Sequence, residues 1–421
     1  MFEVAVICLV LTALFAYVNH KYVGLPTTIG VMGIAQVFSF SLFGLNYLGV
    51  GSLHQLEVSL LSSIDFSQVL MEGMLSLLLF AGALHVDLSE LKAYSWQILV
   101  LAVFGTVLST VLVAVGLWYI LPFTGYTLPF AYCLVFGTLI SPTDPIAVMG
   151  IMKSAGAPKS LELVISGESL FNDGVGVVLF ALVLGMITSG ESPTVSHGAI
   201  LLLHEAGGGI VFGLVLGYIT YLLLKSIESY MEEVLITLAA VMGGYSLASH
   251  LHISGPLSMV IVGLIIGNHG RAKAMGDTTR EYLDMFWELL DAMLNSVLFV
   301  LIGLEVTIIS YSANLFLAII PVIALSLGAR LVSVGIPTGF LRKTFKLPQG
   351  AWQILTWGGL RGGISVALAL SLPPGPERDL VLALTYSIVV FSILCQGLSI
   401  GAVIRRHVPV SDRAPAPPQH H

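Results

Sequence analysis

Residues 167 to 174 read Gly-Glu-Ser-Leu-Phe-Asn-Asp-Gly, in the middle of an otherwise apolar segment, 161 to 188, that is long enough to cross a bilayer. A carboxylate at the hydrocarbon centre costs about 2.5 to 3.5 kcal/mol on insertion scales. Asp173 therefore reads as an ion or proton site, and its segment as one helix of a bundle that shelters it. A second acid, Asp144, lies upstream in Ser-Pro-Thr-Asp-Pro, 141 to 145. There the flanking prolines must interrupt whatever helix contains it.

The composition points the same way. Of 421 residues, 56% are hydrophobic and 10% charged, with a mean hydropathy of +0.96, against a charged fraction of about 25% in soluble domains. The chain reads as an all-α polytopic membrane protein, because helices satisfy their own backbone hydrogen bonds in lipid and the alternating pattern of barrel strands is missing. The 17 basic and 24 acidic residues give a formal charge of −7, and nothing supports nucleic-acid binding. Cys8, Cys133 and Cys395 are single, widely spaced and inside apolar segments, which offers neither a disulfide framework nor a metal cluster; no cofactor is expected. The first segment opens Met-Phe-Glu without a basic region and is expected to be a retained span, not a cleaved signal.

Apolar runs separated by polar or Gly/Pro punctuation predict thirteen crossings, near 4–19, 25–44, 67–86, 95–120, 128–152, 161–188, 198–224, 232–249, 256–268, 284–307, 313–335, 350–372 and 379–404. The basic residues test that count. Fourteen of the seventeen fall after odd-numbered spans or in the tail, only Arg378 falls on the other side, and Arg330 and Arg361 lie within spans. Residues 1–404 are thus expected to form the membrane domain and 405–421 a short cytoplasmic tail, with the N-terminus external.

Two spans carry helix breakers: the fifth at Ser141 to Pro145, and the twelfth at Gly358, Gly359, Gly362 and Gly363 around Leu360-Arg361. An offset of seven crossings reverses orientation, so spans 1–6 and 8–13 are expected to be inverted-topology halves with their interruptions in corresponding places. That pattern points to the midplane site of a secondary transporter.

On a helix Ser169 and Asp173 share one face, and Glu168 and Asn172 a neighbouring one. A hydroxyl and a carboxylate are hard oxygen ligands, which assigns Ser169 and Asp173 to the ion. Glu168 and Asn172 suit an internal network with a buried arginine. A lone arginine in span 11, Arg330, and the second-face carboxylate Glu168 each need a counter-charge and are expected to pair, with Arg361 as the alternative partner. Unwinding at Thr143 and Asp144 is expected to free backbone carbonyls as ligands and to aim half-helix N-termini at Asp144. Arg361 would offset the carbonyl-rich ends. Glu72, close to an outer helix end, is either solvated or a further ligand. Glu281, Asp284, Glu288 and Asp291 recur at helical spacing on the way into span 10 and form either a solvated face or an acidic funnel for cations.

Ser-Pro-Thr-Asp-Pro, Gly-Glu-Ser-Leu-Phe-Asn-Asp-Gly and Gly-Gly-Leu-Arg-Gly-Gly, in that order on spans 5, 6 and 12, resemble the NhaP-type branch of the monovalent cation:proton antiporters, relatives of the animal sodium/proton exchangers. The resemblance implies an NhaA-like fold, in which a core subdomain with two crossed broken helices moves by alternating access against an interleaved dimerisation subdomain of a homodimer in the inner membrane. It implies exchange of Na⁺ or Li⁺ for H⁺, in the service of pH homeostasis, with Asp173 as the shared carrier. Asp144, Ser169, Thr143 and Glu72 would surround the ion. It also implies that Asn172 ties down Asp144 and the break, and that Glu168 pairs with Arg330. Position 172 is Asn where electrogenic relatives carry a second Asp, which implies electroneutral 1:1 exchange. The large regulatory tail of the animal exchangers is not expected here.

Three other readings compete. A K⁺/H⁺ antiporter would use the same fold. An intramembrane aspartyl protease would use Asp144 and Asp173, but its Tyr-Asp and Gly-x-Gly-Asp signatures are missing. A channel would show a repeated filter loop or pore-lining rings, which are also missing.

Overall fold

A computed structural model describes residues 2–47, 74–189, 203–271, 275–305, 313–340 and 347–409, all of whose regular structure is helical. Nine helices among them are long and apolar enough to cross a membrane, and Leu75–Leu84, Phe130–Ile140 and Gly255–Gly270 are shorter apolar helices. Glu72 and the start of the expected third span lie outside the described residues.

In chain order the helices are α1 (Phe2–Val18), α2 (Thr27–Tyr47), α3 (Leu75–Leu84), α4 (Leu88–Lys92), α5 (Ser95–Leu99), α6 (Thr106–Ile120), α7 (Phe130–Ile140), α8 (Ile146–Ser154) and α9 (Lys159–Ser189). They continue with α10 (Gly208–Lys225), α11 (Tyr230–His250), α12 (Gly255–Ile265), α13 (Asp277–Glu305), α14 (Ala313–Phe340), α15 (Ala351–Trp357), α16 (Gly363–Leu370), α17 (Pro376–Phe391) and α18 (Leu398–His407). α5 runs into α6, and α17 into α18, through single π-helical stretches at Val100–Gly105 and Ser392–Gly397. α18 continues past the expected end at residue 404, because Arg405, Arg406 and His407 in its last turn suit the negative end of the helix dipole.

The helices pack as two groups. In one, α6 lies on α7 and α14, α7 on α9, α16 and α17, and α18 on α8 and α15. In the other, α12 packs on α3, α10 and α11, and α13 on α1, α2, α3 and α11. The groups touch where α9 meets α3 and α12, where α8 meets α2, and where α13 meets α16. Every interrupted helix lies in the first group.

Lipid is as apolar as leucine, so close packing and hydrogen bonds hold such helices together rather than removal of surface from water. Trp287 on α13 illustrates both. Its ring lies 4.5 Å from that of Phe80 on α3, and its Nε1 donates to Thr237 Oγ1 on α11 at 3.1 Å. At the turn after α3, Asp87 caps α4 by accepting from the Ser89 and Glu90 amides. The Ser89 hydroxyl and amide hold that carboxyl below the usual carboxylate range.

Candidate cation site

Both sequence-predicted breaks are present, and they meet. α7 ends at Ile140, residues 141–145 are not helical, and α8 begins at Ile146. Pro142 and Pro145 have no N–H to give to a helical ladder. The chain there is held instead by side chains: Ser141 Oγ donates to Gly137 O at 2.7 Å, and Thr110 Oγ1 donates to Ser141 Oγ at 3.1 Å. Asp144 sits at the start of α8, where its Oδ1 accepts from the Ile146 amide at 2.9 Å. A carboxylate at that end is favoured by the helix dipole.

The second break separates α15 from α16. The two breaks join through the backbone, the Asp144 amide donating to Leu360 O at 2.9 Å. Arg361 crosses back, and its Nη1 donates to Ser141 O and Pro142 O, both at 2.8 Å. The guanidinium thus takes two carbonyls of the first break, because a buried arginine must satisfy its own donors. Arg361 is fixed in turn by Ser392, whose Oγ accepts from the Arg361 amide at 3.0 Å. Ser392 carries no signal in the sequence that would single it out.

The glycines of the second break have a steric reason. A Cβ on Gly362 would stand 2.2 Å from Asp144 Oδ2, and one on Gly359 would stand 2.6 Å from Arg330 Nε. A side chain at either position would have to displace Asp144 or Arg330.

α9 supplies the remaining groups. Asn172 is fully buried. Its Oδ1 accepts from the Thr143 amide at 3.3 Å, and its Nδ2 donates to Thr143 Oγ1 at 2.9 Å. Asn172 therefore bonds the first break through Thr143, where the sequence reading ties it to Asp144. Thr143 Oγ1 also lies 3.0 Å from Ser169 Oγ, one hydroxyl donating to the other. Glu168 faces away from this set. Its carboxylate receives Arg330 Nη1 at 2.5 Å and Nη2 at 2.9 Å, and Nη2 also donates to Leu355 O at 3.1 Å. The alternative partner, Arg361, is not used.

Asp173 is only 9% exposed, and its carboxylate accepts no hydrogen bond among the described residues. The charged group acting on it is Asp144. Asp144 is only partly buried; two neighbouring carboxylates repel when both are ionised, and a proton or a monovalent cation relieves the repulsion. The structure thus brings Asp144, Asp173, Asn172, Ser169 and Thr143 together, and sets Glu168 and Arg330 beside them as a separate pair. Of the expected acidic face on α13, Glu281 and Glu288 are exposed. Asp284 is ion-paired with Arg271, which no single-helix pattern reveals.

Interrupted helices that meet at buried carboxylates within an all-helical membrane bundle are the architecture of a secondary transporter. Residues 10–406 match the family described as "Sodium/hydrogen exchanger, transmembrane". The chain is 52% identical over 411 residues to the Na(+)/H(+) antiporter NhaP of Pseudomonas aeruginosa, covering 96% of this chain and 97% of that protein. It is 33% identical over 377 residues to the Na(+)/H(+) antiporter NhaH of Halobacillus dabanensis, covering 89% and 91%. In fold it is similar to the sodium proton antiporter MjNhaP1 from Methanocaldococcus jannaschii at pH 8, with a TM-score of 0.74 at 20% identity over 94% of this chain and 96% of that one. The chain belongs to the sodium/hydrogen exchanger family. It is a transporter and not an enzyme, which sets the protease reading aside.

Proposed function

We propose that this chain exchanges Na⁺ or Li⁺ for H⁺ across the inner membrane, one for one and without net charge movement, with Asp173 holding the cation and the proton in turn. The observation that carries the reading is the Asp173 carboxylate, buried at the meeting of two interrupted helices without a hydrogen bond or a basic partner among the described residues. The names of two relatives, 52% and 33% identical over most of their length, support Na⁺ and H⁺ as the exchanged ions.

In this proposal Asp144, Ser169, Thr143 and Glu72 complete the surroundings of the ion. Asn172 holds the first break, Arg361 ties the second break to it, and the Glu168–Arg330 pair holds α9 to α14. The group of helices carrying the breaks is the moving core, and the group around α12 and α13 is the scaffold. The full membrane domain would make thirteen crossings in two inverted six-helix halves, with the N-terminus external and the tail cytoplasmic. A homodimer would form through the scaffold group, and the exposed apolar residues of α10, such as Val211, Val215 and Tyr218, suit a second copy or lipid equally.

The test is dequenching of a pH dye in proteoliposomes after separate additions of Na⁺, Li⁺ and K⁺. Dequenching by Na⁺ and Li⁺ but not K⁺ is expected. A response to K⁺ alone would replace the reading with K⁺/H⁺ exchange, and no response to any cation would end it.

A further inference from the structure

The last turns of α14 form one side of an apolar surface groove. Val332, Ile336 and Phe340 recur at a spacing of four along one face and are 38%, 42% and 88% exposed. Gly335 and Gly339 beside them form the floor, since a Cβ on either would meet nothing within 4 Å. The opposite wall includes Leu347, Pro348 and Trp352 at the entry to α15, and the groove has a volume of about 970 Å³. α14 is long and apolar enough to cross a membrane, so the groove opens toward lipid near one end of that span. Trp352 is 46% exposed, and its amphipathic ring suits the level of lipid headgroups.

Charge selects the occupant. The sequence has no acidic residue between Glu305 and Glu377, and none between Asp379 and Asp412. The two stretches that meet at the groove, 331–352 and 398–408, carry five bases: Arg342, Lys343, Lys346, Arg405 and Arg406. The first three lie outside the described residues. The last two are exposed in the final turn of α18. That turn touches the rim of the groove, where a Cβ on Gly350 would stand 2.7 Å from His407 O and 2.8 Å from His407 Cβ. An apolar trough that ends at a basic rim complements an acyl chain carrying a negative headgroup. A second copy of the chain docked here about a two-fold axis would instead bring like-charged rims together.

We propose that this groove docks an anionic glycerophospholipid of the surrounding bilayer, with an acyl chain between α14 and the entry to α15 and the phosphate at the basic end of α18. The site lies on the broken-helix group, apart from the cation site. Its wall includes Leu331, next to the Arg330 that bonds Glu168 and Leu355 O. A bound lipid therefore braces α14 against α15 along the seam that Arg330 already holds. On the topology proposed above, the groove opens at the cytoplasmic surface.

The experiment uses the full chain purified in detergent, with dioleoyl phosphatidylglycerol, dioleoyl phosphatidylcholine or inorganic phosphate added. Lipid retention is read by native mass spectrometry and stability by the melting temperature. Phosphatidylglycerol should be retained roughly tenfold more tightly than phosphatidylcholine, the scale of one charge-assisted phosphate contact. It should also raise the melting temperature, which phosphate alone should not. Gly335→Leu fills the floor, and the double variant Arg405→Gln/Arg406→Gln removes the basic rim. Each should bring phosphatidylglycerol down to the level of phosphatidylcholine. Gly243→Leu on α11, where a Cβ also meets nothing within 4 Å, and Lys225→Gln at the end of α10 should keep the wild-type preference. Equal retention of the two lipids by wild type, an unchanged preference in either groove variant, an equal loss in the two comparison variants, or stabilisation by phosphate alone overturns the proposal. A change of oligomeric mass in Gly335→Leu with lipid retention unaltered would overturn it too, and would give the groove to a second copy. Neither readout depends on cation exchange, so failure here is distinct from failure of the antiport reading.

Discussion

Arg330 and Glu168 are joined by two parallel hydrogen bonds, Nη1 to Oε1 at 2.5 Å and Nη2 to Oε2 at 2.9 Å, with both side chains buried. A guanidinium matches a carboxylate in this way, and lysine cannot. The pair links α9, which carries Asp173, to α14, and Arg330 also holds Leu355 O in the last turns of α15 before the second break. It is therefore part of what sets the distance between the two interrupted helices.

Glu168→Ala or Arg330→Ala leaves a buried charge without its partner, at a cost of about 3 to 5 kcal/mol. Either variant should melt well below wild type in detergent. The double variant should cost much less than the sum. Simple additivity in that cycle would refute the coupling.

Asp173→Asn should abolish Na⁺-driven proton flux while the protein still purifies as a folded species, because the replaced carboxylate, 9% exposed, accepts no hydrogen bond among the described residues. Asp144→Asn should be nearly as severe. A normal rate in Asp173→Asn proteoliposomes would show that the carrier lies elsewhere.

Gly362→Ala places a Cβ 2.2 Å from Asp144 Oδ2. Displacing that carboxylate or the break should cost about 1 to 3 kcal/mol and most of the exchange activity. Gly328→Ala on α14 meets nothing within 4 Å and should leave exchange intact while raising stability by about 0.5 to 1 kcal/mol. Equal effects of the two substitutions on transport would refute the steric account of the break.

Neutralising the exposed Glu281 should raise apparent KM for the cation at low ionic strength and not at high. Asp284→Asn should act differently, since it strips Arg271 of its partner. The wild-type salt dependence, retained unchanged in Glu281→Gln, would leave only a solvated face.

Exchange should be indifferent to voltage if, as proposed, one carboxylate is neutralised alternately by one Na⁺ or one proton. At 100 mV a single uncompensated charge per cycle would contribute about 2.3 kcal/mol. Clamping the proteoliposome potential with K⁺ and valinomycin at fixed ΔpH measures this directly. A rate and end point that follow the imposed potential would contradict the one-carboxylate cycle.

Much of this site was legible in the sequence, for two local reasons. A charge inside an apolar span has a transfer cost that does not depend on its neighbours, which drew attention to Asp173, Glu168, Arg330 and Arg361. Proline and glycine act on the backbone within a turn of themselves, which placed the breaks at 141–145 and at the glycines from 358 to 363; the second interrupted helix resumes at Gly363. The Glu168–Arg330 pair followed from charge balance, since each needed an opposite.

What only the tertiary structure decided are contacts whose distances are set between helices far apart in the chain. Helical spacing puts Asn172 on a face without saying that it bonds Thr143 and not Asp144. Nor does it say that Arg361 takes the Ser141 and Pro142 carbonyls, or that Asp284 is occupied by Arg271. Transfer energy and backbone geometry belong to one segment at a time and are written in its residues. Partner choice belongs to the packing of segments against each other, and periodicity along one helix carries no record of it.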